Sequence, residues 1–148
     1  MRLLALLAAL PLLAACAGGG ATAAEGRIVE LRLNDFSYAP KDLALRAGET
    51  VTLKLVNDGK VEHEFMAGTS ATPSKGFAKD LLHDVDIRTK GADKHGKDGH
   101  TGKGVRVAAG KTAAMTFTVP ASLGSYEFAC FIAGHYEAGM KGVLKIDQ

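Results

Sequence analysis

The 148-residue sequence has no tryptophan, only two cysteines and four prolines, and an aromatic content of 6%. Two cysteines permit one disulfide at most. Cationic and anionic side chains nearly cancel, 18 against 16, for a formal net charge of +2. No dense basic patch is present, which argues against nucleic acid as a partner. No apolar run is long enough for a membrane-spanning helix, which needs roughly 20 residues; the longest, residues 3–13, falls short. A nucleophile elbow, a phosphate-binding glycine loop and a paired-carboxylate arrangement are all missing, so the chain is read as a non-enzyme. What is plentiful is glycine, at 18 residues, together with valine, leucine and threonine, a composition of short strands and turns.

The first residues read as an export signal rather than as part of the fold. Arg2 precedes the apolar run 3–13, which ends in Leu13-Ala14-Ala15-Cys16. Small residues before a cysteine at this depth resemble a bacterial lipobox. That resemblance implies a signal peptide over 1–15, cleavage before Cys16 and a lipid on its sulfur. A glycine-rich tether to residue 26 and a folded domain over 27–148 follow. The expected location is the periplasmic or cell-surface face of a membrane, with the lipid as anchor. With Cys16 so occupied, Cys130 is left alone in an oxidising compartment, and its neighbours suggest a metal.

Alternation of apolar and polar residues marks strands at 29–33, 43–45, 51–55, 61–66, 105–107, 113–119, 126–130 and 143–146. Asn57-Asp58-Gly59 and residues 120–125 read as turns. Phe77, Leu81, Leu82 and Val85 have spacing for one or two helical turns, and residues 89–104 are almost wholly polar, a surface loop. The prediction is an all-β Greek-key sandwich of about seven to eight strands with one short helical or loop insert. Phe36, Tyr38, Met115, Phe117 and Phe128 are assigned to its core.

One segment carries chemistry. Cys130, His135 and Met140 offer a thiolate, an imidazole and a thioether at spacings Cys-x4-His-x4-Met, between two strands and so at one end of the sandwich. Sulfur donors with imidazole select copper over hard ions. Two histidines and a cysteine in a trigonal set, with a weak axial methionine, make a type 1 electron-transfer site. The second histidine is expected to be His63: its strand sets Val61, His63 and Phe65 on one face and Glu62, Glu64 and Met66 on the other. Two carboxylates place that second face outward, which turns His63 inward. Zinc also accepts cysteine and histidine, but a thioether suits copper better.

On these residues the chain resembles the cupredoxins, from about Arg27 to Gln148. The resemblance is carried by Tyr126-Glu127-Phe128-Ala129-Cys130 followed by Gly134-His135-Tyr136-Glu137-Ala138-Gly139-Met140, and by Val61-Glu62-His63-Glu64-Phe65. The loop spacing is similar to the auracyanin and rusticyanin type. The resemblance implies a β-sandwich, one copper ion, and electron transfer or periplasmic copper handling. Ala133 stands where many relatives have proline, and Glu64 where several families have an asparagine that braces the ligand loop.

The function expected is a one-electron carrier for transient redox protein partners. They would meet the His135 edge through a small patch of Ile132, Ala133, Ala138 and Gly139. The alternative is copper sequestration or tolerance, with Met66, His83, His95 and His100 as additional copper-binding groups. No His-x-His pair is present for a trinuclear copper cluster, and no second cysteine near Cys130 for a dinuclear one.

Overall fold

The computed structural model describes residues 26–92 and 102–148. Strand-forming alternation places the same apolar rows inside. β1 (Arg27–Asn34) buries Leu31 and Leu33, and β2 (Ser37–Ala39) folds back on it with Tyr38 opposite Leu33. β3 (Asp42–Arg46) buries Leu43 and Leu45; β4 (Thr50–Asn57) buries Val51, Leu53 and Leu55. β5 (His63–Thr72) and β6 (Gly76–Asp80) form a hairpin. β7 (Arg88–Lys90), β8 (Val105–Val107), β9 (Thr112–Thr118), β10 (Gly124–Ala129) and β11 (Lys141–Asp147) complete the described chain.

The strands lie in two sheets. One runs β2-β1-β4-β9-β7; the other runs β3-β11-β10-β5-β6, with β8 paired to the start of β5. Between them lies one core built from both sheets, which includes Cys130 and Met140. The all-β Greek-key sandwich is present. Most neighbours are antiparallel, but β1 with β4 and β3 with β11 run parallel, because each pair is joined through the opposite sheet.

Three points differ from the sequence reading. The eight expected strands are present, and β2, β6 and β7 are additional. β2 buries one side chain and β7 none, so neither shows an apolar alternation. The expected helical turns are absent among the described residues: Phe77 lies in β6, and residues 81–84 form a turn. Leu82 reaches the core from that turn, so the apolar spacing reflected burial rather than a helix. Thr89 and Lys90, assigned to a surface loop, form the edge strand β7 against β9. Residues 1–25 and 93–101, and with them Cys16, His95 and His100, lie outside the described residues.

β5 corrects the argument about faces. From His63 to Gly68 every residue is buried, on both sides of the strand. Phe65 joins the main core, while Met66 packs with Phe77, Ala129 and Phe131 in a second cluster. Met66 is therefore not the outward group expected, and Glu64 is fully buried too. Phe36 is the reverse case, 41% exposed instead of core.

Phe128 links the layers: its ring centroid lies 5.0 Å from Tyr38 and 5.6 Å from Phe65. Phe128→Ala should cost about 3–5 kcal/mol, as other buried phenylalanine truncations do. Denaturant unfolding of the metal-free chain measures it; a loss below about 1 kcal/mol would contradict this packing.

Candidate metal centre

His63 is the first residue of β5 and pairs with Val107 of β8. The turn before it is pinned by Asn57, whose amide nitrogen donates to Val61 O (2.9 Å) and Val107 O (2.7 Å) and whose amide oxygen accepts from Gly59 N (2.9 Å). Cys130 directly follows β10. Its amide donates to Met140 O at 3.1 Å, which closes the loop between β10 and β11 at its base. Inside the loop, His135 N donates to Ile132 O (2.9 Å) and Met140 N to His135 O (3.0 Å). Gly134 has φ 85°, a left-handed conformation that glycine adopts without a Cβ clash, and it turns the chain so that His135 points inward.

Three donors from these segments meet. His63 Nδ1 and His135 Nδ1 are 3.3 Å apart, and Cys130 Sγ is 3.3 Å from His135 Nδ1. All three ligand atoms lie within 4.8 Å of one another. His63 and Cys130 are fully buried, and His135 is 8% exposed. Donors bound to one first-row ion at about 2.0–2.3 Å, with angles near 110–120°, stand roughly 3.3–3.7 Å apart. Two of the three pairs have that separation and the third lies within 4.8 Å, so the residues fit a single ion. Met140, also fully buried, is tied through its backbone to both Cys130 and His135.

Protonation follows from the surroundings. Asp35 Oδ1 lies 2.8 Å from His63 Nε2. A carboxylate only accepts, so His63 carries its proton on Nε2 and turns the Nδ1 lone pair inward. The Lys60 amide, and then His63 itself, hold the Asp35 carboxyl below its usual range. Burial, with His63 nearby, pushes His135 below the ordinary histidine value, which keeps its imidazole neutral. Burial pushes the Cys130 thiol up to about 12, against the opposing pull of the Ile132 and Glu64 amides. The metal-free site is therefore a neutral thiol facing the neutral imidazole of His135 and the Nδ1 side of His63.

Glu64 is the group that sequence reasoning misplaced. Its amide donates to Cys130 Sγ at 3.3 Å, while its carboxylate accepts from Phe131 N at 3.3 Å. The same carboxylate meets Arg106 Nε at 3.3 Å, and Arg106 also reaches Glu62 Oε1 at 3.3 Å. Tyr38 OH donates to the Glu64 carbonyl. A buried carboxylate is thus neutralised by a buried guanidinium and braces the ligand loop where an asparagine was the expected brace. The overlooked signal was Val105-Arg106-Val107: a cation in the middle of a short apolar strand needs a buried partner. Asp35 was missed as well, and no signal could have found it, since Asn34-Asp35-Phe36 has the composition of any turn.

Other candidates stay apart. His83 is exposed, with Asp84 at 3.8 Å as its neighbour, and Met66 is enclosed in the second cluster. The expected open edge of His135 is mostly covered, because the Phe36 ring lies 4.6 Å from it. Within the expected patch, Ala133 and Ala138 are exposed and Ile132 and Gly139 half-buried.

Residues 27–147 match the family model described as copper binding proteins of the plastocyanin/azurin family. The chain is a cupredoxin of that family. Among curated proteins it is 36% identical to the copper-resistant cuproprotein CopI of Rubrivivax gelatinosus, over 86% of this chain and 70% of that one. A protein of the same name from Pseudomonas aeruginosa is 32% identical, over 81% of this chain and 76% of the other. Among solved structures, auracyanin B shares the fold at a TM-score of 0.59 and 22% identity, over 82% of this chain and 89% of that chain. This cupredoxin binds copper, and a single cluster of cysteine and histidine donors among the described residues can take it.

A thiol held up to about 12 is protonated at neutral pH and must lose that proton to serve as a ligand. Copper uptake at pH 7 should release one proton per ion, and affinity should rise about tenfold per pH unit above the histidine range. An indicator dye in weak buffer reads the proton; in Cys130→Ser that release should vanish.

Proposed function

We propose that His63, Cys130 and His135 hold one copper ion in a trigonal set with Met140 as a weak axial donor. In this reading the chain is an exported one-electron carrier rather than an enzyme. The observation that carries it is the rigidity of the buried donor set. Three ligand atoms within 4.8 Å are fixed by backbone hydrogen bonds inside the loop and by Glu64 and Asp35 outside it. When bound there, copper supplies a reversible one-electron couple tuned by the axial sulfur and by hydrogen bonds to the thiolate. A fixed set changes charge with little rearrangement. Export, a lipid on Cys16 and a membrane surface as working place follow from the lipobox-like Leu13-Ala14-Ala15-Cys16.

A second reading, copper tolerance, is favoured by the two relatives named copper-resistant cuproproteins. The two readings share one site and differ in what the cell needs from it. Enzymatic use of copper has little support, as the sequence lacks a His-x-His pair and a second loop cysteine.

The copper-loaded chain should show one ion per molecule and an intense visible thiolate-to-copper band, and Cys130→Ser should lose the band. Two or more tightly held ions would favour sequestration. A deletion strain that grows normally in copper would remove the tolerance reading.

Partners are expected to dock beside His135, where Ala138 is exposed. Ala138→Asp should slow reduction by a physiological donor about tenfold or more, since charge placed in a docking patch acts first on encounter. The visible band should stay in place; unaltered reduction kinetics would count against this docking patch.

A further inference from the structure

The turn between β1 and β2 holds both histidines from outside the ligand loop. Asp35 Oδ1 is 2.8 Å from His63 Nε2. The next residue, Phe36, sets its ring 4.6 Å from the His135 ring and edge-on at 6.1 Å to that of His63. Gly59 closes the other side. A Cβ there would stand 2.2 Å from Asp35 Oδ1 and 2.7 Å from His63 Nε2, so nothing but hydrogen fits beside this hydrogen bond. Phe36 is 41% exposed whereas His135 is 8% exposed. The phenyl ring therefore gains less from burial than a core ring does, and what it covers is the histidine.

We propose that Asp35 and Phe36 form the outer wall of the copper site. Asp35 fixes His63 with its Nδ1 lone pair inward, and Phe36 closes the path past His135. Together they set how readily copper and thiol reagents reach Cys130. This rests on His63 and His135 being copper ligands. Asp35 acts as a positioning residue through His63, and Phe36 acts by steric cover. The ligand loop supplies donors but no cover of this kind: Gly134 and Ala133 beside His135 are small and exposed.

The test uses the full chain with Cys16→Ser, which leaves Cys130 as the single thiol. In the first arm the metal-free protein reacts with an aromatic disulfide. The reagent's S–S bond breaks, a mixed disulfide forms on Cys130 with loss of its proton, and the released coloured thiolate is counted. Phe36→Ala should raise the labelling rate at least about fivefold, and Phe36→Leu, which keeps the bulk, should stay near the parent. In the second arm the copper(I)-loaded chain faces an excess of a coloured copper(I) chelator, and Phe36→Ala should lose copper faster by a similar factor. In the third, nitrogen NMR of the metal-free chain reads the His63 tautomer. The parent should carry its proton on Nε2, Asp35→Ala should lose that preference and bind copper about tenfold or more weakly, and Asp35→Asn should restore both. Labelling within twofold of the parent for Phe36→Ala overturns the cover. An unchanged tautomer in Asp35→Ala overturns the positioning. A parent chain that takes up no copper overturns the ligand assignment itself, a failure separate from the other two.

Discussion

A neutral thiol facing two imidazoles in a water-excluded pocket is the constraint on which the rest of this structure depends. Polar groups buried without partners cost free energy, and here three of them must still face a common point. The fold meets this by giving polar groups around them partners of their own. The outer nitrogen of His63 is given to Asp35 and the loop amide of Phe131 to Glu64; the Cys130 amide goes to the Met140 carbonyl. What remains directed inward is the sulfur and two ring nitrogens. The core around them contains Phe65, Phe128, Cys130 and Met140 in one continuous cluster, so the pocket and the hydrophobic core share a wall.

Much of this was legible in the sequence because it was local. The Cys130-x4-His135-x4-Met140 spacing encodes one loop, and a loop joining two strands opens at the end of a sandwich. His63 was legible because strand alternation made it share a face with Phe65. The alternation rule then failed on the opposite face for a non-local reason. It assumed that a carboxylate marks solvent, and Glu64 violates this only because Arg106, forty-two positions later, arrives on a neighbouring strand to neutralise it. Phe36 failed in the other direction: an aromatic residue in a turn reads as core, yet its ring packs on a histidine that sequence places far away. Strands β2 and β7 escape notice because one buries a single side chain and the other none, which leaves no apolar alternation.

The two functional readings make different demands on the same pocket. A store gains by holding more ions and by letting them exchange. A carrier gains by holding one ion in a geometry that does not relax when its charge changes. The described residues favour the second demand. One donor cluster is enclosed, its ligand loop is laced by backbone hydrogen bonds, and the remaining described histidine, His83, lies exposed with Asp84 3.8 Å from its ring.

Charge decides how a buried carboxylate can brace the loop between β10 and β11. A lone carboxylate there would favour the more oxidised, more positive ion and shift the couple; a neutral amide would not. With Arg106 Nε 3.3 Å from it, the carboxylate has a cation beside it while its oxygen still accepts from the Phe131 amide. The exchange makes the site depend on two residues where one sufficed. Removing Arg106 takes away the guanidinium that faces the buried Glu64 carboxylate, typically a loss of about 3–5 kcal/mol, whereas removing Glu64 leaves Arg106 still facing Glu62. Removing both by residues of matched shape costs far less. Tolerance of change at Glu64 therefore depends on the residue at position 106, and the two positions are coupled in stability.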